Sequence, residues 1–280
     1  MPCPWRIWTA ASNATGYNIK RAAASGGPYT TIATGVMETS YTDTGLTAGT
    51  AYYYVVSAVN PGNESNNSTE ASATLPLAQL KFNETSGTTA ADATGSGWNG
   101  TLVNGPLWVV GKSGNAVDLD GTNDYVSLPA GVVTSSTTST IAAWVNLDAV
   151  SNWMRIFDFG SGTATYMFLT PKNAANGKIR FAIKNNGSNE QIIDGQSALA
   201  TGGWHHVAVT LNGATGILYV DGIQVGQNTA MTLKPSDIGS TTQNWIGRSQ
   251  FADPYLNGRV DDFRIYTGAL TASEIATLAQ

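Results

Sequence analysis

The sequence predicts an all-β protein of two antiparallel sandwiches in tandem, a small one over residues 1–75 and a larger one over residues 76–280. Three observations carry this. Charged residues make up only 12% of the chain, about half the usual share, and polarity comes instead from Ser, Thr, Asn and 31 glycines, the composition of a turn-rich β-protein. Short β-branched and aromatic runs recur between Gly, Asn and Pro turns with the period of strands, not as strands alternating with helices. Helical character is confined to the end, LTASEIATLAQ, where Ser273 or Thr271 would cap a short helix whose Ile275 and Leu278 dock on the sandwich.

From Gly16 to Leu75 the runs are GYNIKRA, YTTIA, SYTDTGL, AYYYVVSAVN and STEASATL, broken by SGGP, TAGT and PGNESNN. Alternation within AYYYVVSAVN places Tyr52, Tyr54, Val56 and Ala58 on one face, assigned to the core. TLPLA, residues 74–78, reads as a short, stiff linker around Pro76. Beyond it come STIAAWVNL, WMRIFDFG, TYMFLT, KIRFAIK, WHHVAVTLN, GILYVDG, NWIGRS and GRVDDFRIY, the strands of a large two-sheet jelly roll. In the last run alternation sets Asp261, Phe263 and Ile265 on one face and Val260, Asp262, Arg264 and Tyr266 on the other. Asp261 is therefore expected as a carboxylate on the buried face, and Asp262 as an ordinary outward residue.

WTAASNATGYNIKR, SYTDTGL and LTAGTAYYYVVSAVN resemble a fibronectin type III domain, and Leu46 and Tyr52 fall where that family places its tyrosine corner. Trp8 matches the tryptophan of the family's second strand, which leaves too few residues for a first one. The resemblance thus implies a truncated sandwich with an exposed edge. The larger segment resembles the laminin-G-like, concanavalin A-like jelly rolls appended to secreted bacterial glycan-degrading enzymes. The motifs are F-x-E-x-S-G-T-x-A-x-D, DGTNDYV, W-x-R-I-F-D-F-G, WHHVA, LYVDG, IGR, G-R-V-D-D-F-R-I-Y and A-L-T-A-S-E-I, in order over roughly residues 78 to 279. A motif series of this length speaks to fold more than to ligand.

A net charge of −5 and a pI near 4.9 argue against nucleic-acid and anionic-membrane partners, both of which reward clustered Lys and Arg. No run approaches the roughly 18 apolar residues of a membrane span, and the first residues lack a signal-peptide pattern. The chain reads as soluble and as part of something larger. Its single cysteine, Cys3, excludes an internal disulfide and a cysteine zinc cluster.

The resemblance implies a structural calcium tying the first strand to the last. The loop ADATGSGWNG, residues 91–100, would wrap the ion, with Asp261 and Asp92 as carboxylates and carbonyls from Gly95 to Asn99 completing the shell. The alternative for Asp261 is a set of backbone N–H groups, or Arg264, with no metal. The D-x-D-G of Asp118, Asp120 and Asp124 lacks the glutamate of an EF-hand and reads as turn chemistry. GPLWVVGKS separates its glycines by five residues where a phosphate-binding loop has four. His205 and His206 point to opposite faces of a strand and cannot share a metal.

Glycosidases of this fold need two carboxylates flanking the scissile bond, and the laminarinase-like members supply them from an E-x-D-x-x-E strand. None of Glu38, Glu64, Glu70, Glu84, Glu190 and Glu274 falls at that spacing, so no catalytic residue is expected. Carbohydrate binding asks for aromatic rings against the apolar face of a sugar, with planar polar groups on its hydroxyls. Trp144, Trp204, Tyr219 and Phe263 lie in apolar strands and read as packing. Trp153, Tyr166, Trp245, Phe251 and Tyr255 lie in polar, Gly-rich contexts with Arg155, Arg248 and Gln250 nearby. The expected ligand residues are Trp153, Arg155, Tyr166, Trp245, Arg248 and Tyr255.

These residues point to a non-catalytic carbohydrate-binding module, with a fibronectin-like spacer and a structural calcium, of a secreted bacterial enzyme acting on polysaccharide. Its partners would be an oligo- or polysaccharide and the parent catalytic domain. The alternative is a structural or adhesive extracellular module that binds protein or a cell surface.

Overall fold

The computed structural model describes residues 6–280, and the expectations about Cys3 and a missing first strand concern residues outside these. The chain divides into two compact units, Met1–Leu75 and Pro76–Gln280. All its sheets are antiparallel. In the first unit Thr30–Val36, Gly16–Ala22, Ala51–Asn60 and Asn63–Glu64 lie side by side, Ala71–Thr74 also pairs with Ala51–Asn60, and Arg6–Ile7 pairs with Ser40–Tyr41. The Tyr52, Tyr54, Val56 and Ala58 face packs on a core of Tyr17, Ile19, Leu46, Ala73 and Leu75. The Tyr52 hydroxyl accepts the backbone N–H of Thr47 at 3.1 Å, the back-bond of a tyrosine corner.

The second unit stacks two eight-stranded sheets. The front sheet runs in the order Gln191–Asp194, Arg180–Lys184, Tyr166–Thr170, Phe157–Gly160, Gln243–Ile246, Tyr125–Leu128, Gly100–Val103 and Thr89–Ala90. The back sheet runs Leu107–Val110, Asn115–Asp120, Asn257–Tyr266, Ser139–Leu147, Trp204–Asn212, Thr215–Val220 and Ile223–Asn228, with Ala78–Leu80 also pairing with Asn257–Tyr266. Alternation fills the space between them. Phe157, Phe159, Met167, Leu169, Phe181 and Ile183 of the front sheet meet Ile141, Val145, Leu147, Val260, Phe263 and Ile265 of the back sheet. The intervening residues face outward, and on the front sheet these include Asp158, Tyr166 and Phe168.

The last strand departs from simple alternation. Trp144 pairs with Asp261 and Ala142 with Arg264, so two residues of the last strand, Asp262 and Phe263, oppose the single residue Ala143. This is a β-bulge, and Asp262 takes the left-handed conformation, φ 46°, that it requires. The extra residue resets the phase. Val260 faces the core beside Val145, Phe263 and Ile265 face it too, and Asp261 turns to the outer face beside Trp144. The sequence expectation therefore fails at two residues. Asp261 does not share a face with Phe263, and Asp262 is not an idle surface residue: it holds Arg264 and accepts the Gln79 side-chain amide at 2.7 Å.

Ala272–Leu278 forms the expected helix, and Thr271 is its cap. Its side chain accepts the Glu274 N–H while the Glu274 carboxylate accepts the Thr271 N–H, a reciprocal capping box. Ile275 seals an outer cluster of Ala142, Ala208, Tyr219, Tyr266 and Leu270 on the back sheet. No helix among the described residues is long and apolar enough to cross a membrane.

Candidate functional site

The six expected ligand residues all gather at the front sheet. The cross-strand ladder Phe168, Asp158, Trp245, Ser127 runs over its outer face. Trp153 precedes the strand that carries Asp158, and the segment 247–256 folds back over the ladder, bringing Arg248, Phe251, Asp253 and Tyr255.

Under this segment Trp153, Arg155, Tyr166, Glu190, Phe251 and Asp253 line a cavity of about 230 Å³ over the ring of Phe168. The walls are aromatic. Trp153 stands edge-on to Phe168 at 6.4 Å, Tyr166 stacks on Phe168 at 5.6 Å, and Phe251, 40% exposed, meets Tyr166 edge-on at 5.5 Å. Trp153 holds a left-handed backbone, φ 65°, rare for a bulky side chain, which costs on the order of 1–3 kcal/mol. Two bonds sustain it: its N–H donates to the Lys172 carbonyl at 2.8 Å, and its own carbonyl accepts the Arg155 guanidinium.

Arg155 is 2% exposed, and its guanidinium lies 3.8 Å over the ring of Phe168. Nε donates to Asp158 at 3.2 Å, one terminal nitrogen reaches Asp253 at 3.0 Å, and the other the Trp153 carbonyl. With each of its three nitrogens bonded to protein and its side chain buried, Arg155 positions Trp153 and Asp253 instead of reaching a ligand. Asp158 is fully buried, and burial pushes its carboxyl up to about 7 against the pull of Arg155 and of the Gln250 N–H. The Tyr166 hydroxyl donates to Glu190 at 2.7 Å, and burial together with that bond raises its pKa. The groups left facing solvent are the Trp153 and Phe251 rings and the Glu190 and Asp253 carboxylates.

Trp245, Arg248 and Tyr255 form a neighbouring cluster around Tyr125. The Arg248 guanidinium lies 4.1 Å from the centre of the Trp245 ring and 4.7 Å from that of Tyr125. Trp245 is only 9% exposed, so its ring is taken up by Arg248 and Tyr125, leaving Tyr125 and Tyr255 as the half-exposed aromatics of this cluster.

Sequence reasoning did not select Glu190 or Asp253 as ligand residues. Asp253 sits in SQFADPYLNG, the same polar, aromatic context that marked Phe251 and Tyr255. Glu190 is a lone carboxylate in a turn, and no local signal marks it.

The four expected calcium ligands are not brought into one shell. One Asp92 oxygen accepts the N–H groups of Gln79 and Thr94, and the other accepts the Thr94 hydroxyl and the N–H groups of Ser96 and Trp98. The Asn99 side-chain oxygen accepts the Asp92 N–H, and the Gly95 N–H is bonded to the Asp92 carbonyl. Asp92 thus organises loop 91–100 through backbone donors, and the lone pairs a cation would need are engaged. Leu80 pairs with Phe263 on one side and bridges to Asp92 on the other, so Asp92 lies two strand spacings, roughly 10 Å, from the last strand. Asp261, 1% exposed, instead accepts the Ser113 N–H at 2.9 Å on one oxygen, while the other has no partner. The turn closes so tightly that a Cβ at Gly111 would come within 2.7 Å of the Asp261 carboxylate.

The two stacked antiparallel sheets define a concanavalin A-like jelly roll. Residues 120–276 match the Laminin_G_3 family of the concanavalin A-like lectin/glucanases superfamily, more than half of the chain, and the chain belongs to that family. Domain 4 of an extracellular arabinanase from Geobacillus stearothermophilus, solved in complex with arabinotriose, superposes with a TM-score of 0.62 at 24% identity, over 72% of this chain and 97% of that one. A Trypanosoma rangeli sialidase superposes with a TM-score of 0.54 at 17% identity, over 73% of this chain and 32% of that one. Both are likenesses of fold. Amylopullulanases of Thermoanaerobacterium thermosulfurigenes and Thermoanaerobacter thermohydrosulfuricus are 45% and 44% identical over 65 and 73 residues, which is 23% and 25% of this chain. The chain spans only 4% and 5% of the length of those relatives.

Proposed function

We propose that this chain is a non-catalytic, glycan-binding module of a larger secreted polysaccharide-degrading enzyme, and that the cavity over Phe168 is its binding site. The observation that carries this is the cavity itself: an exposed ring, Phe251, a half-exposed one, Trp153, and two carboxylates open to solvent converge on one small space, held by the buried Arg155–Asp158 pair. Rings take the C–H face of a sugar and carboxylates accept its hydroxyls. The likeness to an arabinanase domain solved with arabinotriose and the amylopullulanase relatives support the same reading. Asp158 is sealed beneath the cavity and does not flank a bound glycosidic bond, while the two carboxylates that border the cavity are held by protein, Glu190 by the Tyr166 hydroxyl and Asp253 by Arg155. The first unit is proposed as a fibronectin type III-like spacer, on its strand order and the Tyr52 back-bond. A glycan array followed by calorimetry tests the reading. Binding should be weak, on the order of 10 µM to 1 mM per site, and Phe251→Ala should weaken it at least about tenfold, about 1.4 kcal/mol. Binding unchanged in that variant would place the site elsewhere.

A structural calcium is proposed at Asp261 alone. Its unpartnered buried oxygen lines a polar cavity with Gln79, Asn83, Ser113 and Asp262, and of the two cations that border the cavity, Lys81 and Arg264, the latter is spent on Asp262. EDTA should lower the melting temperature of the native chain by several degrees and leave that of Asp261→Asn unmoved. An equal EDTA response in both would remove the ion from this strand.

A further inference from the structure

The size and charge of the cavity over Phe168 narrow its ligand, on the reading that this cavity binds glycan. Pockets for drug-sized ligands run to about 300–1,000 Å³. At about 230 Å³ this one is smaller, room for one sugar ring and not for a stretch of chain. It opens to solvent between Trp153 and Phe251 of the overlying segment, which flank it, and Tyr166 and Phe168 form its floor. Toward the neighbouring cluster, the Trp245 ring is covered by Arg248, and Tyr125 and Tyr255 are only half-exposed.

Electrostatics point the same way. The lining holds one cation, Arg155, against two carboxylates, Glu190 and Asp253. Arg155 is committed to Asp158, Asp253 and the Trp153 carbonyl, and the other guanidinium near Trp153, Arg180, is held by both oxygens of Asp194 at 2.6 and 2.8 Å. Lys184 lies beside Tyr166 on the ladder but does not line the cavity. A sugar carboxylate entering here would face Glu190 and Asp253 with no uncommitted guanidinium to receive it, and like charges at short range disfavour binding. Sugar hydroxyls suit the same two groups, because an ionised carboxylate only accepts and a hydroxyl can donate.

We propose that the cavity recognises a single neutral, hydroxyl-rich sugar ring at the end of a glycan chain and rejects acidic sugars. The module then marks chain ends, so its occupancy on a polysaccharide rises with the number of ends and not with the mass of chain.

The test is calorimetric titration of the full chain with neutral malto- and arabino-oligosaccharides of two to six residues, and with the best binder carrying a terminal uronic acid, at low salt. For the series that binds, the affinity should stay within about twofold from the disaccharide upward, with one site per molecule. The uronic acid form should bind at least tenfold more weakly, and Glu190→Gln, an exposed substitution that leaves the fold intact, should narrow that gap. Affinity that climbs steeply with chain length, or equal binding of the acidic form, would overturn this proposal while leaving the glycan-binding reading in place. Silence on both series and on a broad glycan array would overturn the two together.

Discussion

Asp262 shows how much one residue can redirect. In the left-handed conformation it adds a position to the last strand, and that position decides which face every residue before it occupies. The outer face it creates holds His206 edge-on to Trp144 at 5.3 Å, with the Arg264 and Asp262 charges acting on it from the last strand and Asp221 from beyond its own strand. Burial, aided by Arg264, holds the His206 imidazole down at about 4, against an ordinary 6.5. The unfolded chain binds the extra proton between those values, so stability from this group is complete above pH 6.5 and is lost as pH falls toward 4. At 1.36 kcal/mol per unit the loss amounts to about 3 kcal/mol. Urea unfolding at pH 7.5 and pH 4 should show it in the native chain and not in His206→Gln. Identical pH dependence in the two would mean that His206 is not buried neutral.

Among the elements, the closing helix has only seven residues, too few to be stable by propensity alone. Two features hold it: the Thr271–Glu274 capping box and the burial of Ile275 against the back sheet. Thr271→Ala should cost about 1 kcal/mol, measured by urea unfolding, and the damage should stay local, without loss of glycan affinity, because the helix packs on the sheet that does not carry the cavity. Lost affinity in that variant would contradict the placement of the site on the front sheet. The bulge can be removed by deletion. Without Asp262 the residues Val260, Asp261, Phe263, Arg264 and Ile265 alternate regularly on the faces they already occupy, so the shortened chain should still fold cooperatively, less stable by the lost bonds of Asp262 to Arg264 and Gln79. Insoluble protein from that deletion would refute the assigned register.

Each of the two units of the whole molecule has its own hydrophobic core. Residues 76–280 expressed alone should therefore fold, unfold cooperatively and bind glycan with the affinity of the full chain. A drop in affinity would assign part of the site to the first unit.

The sequence by itself determined the elements and their order. Period-2 runs, glycine turns and the final capping pattern are local, and local rules are written in neighbouring residues: the core face of AYYYVVSAVN and the helix at 272–278 were legible for that reason. The aromatic ligand candidates were legible because large rings in polar, glycine-rich segments lack an obvious core partner. Tertiary structure decided which of them remain available. Trp245 is occupied by Arg248, and Arg155 by two aspartates, through contacts 3 to 98 residues apart in the chain. It also decided that Glu190 joins the cavity, that Asp92 spends its oxygens on its own loop, and that Asp261 lies outside the inter-sheet core. Alternation is a rule for a uniform strand. A bulge breaks its phase at the cost of one left-handed residue, and an aspartate, which tolerates that conformation, gives no sign of the break in the sequence.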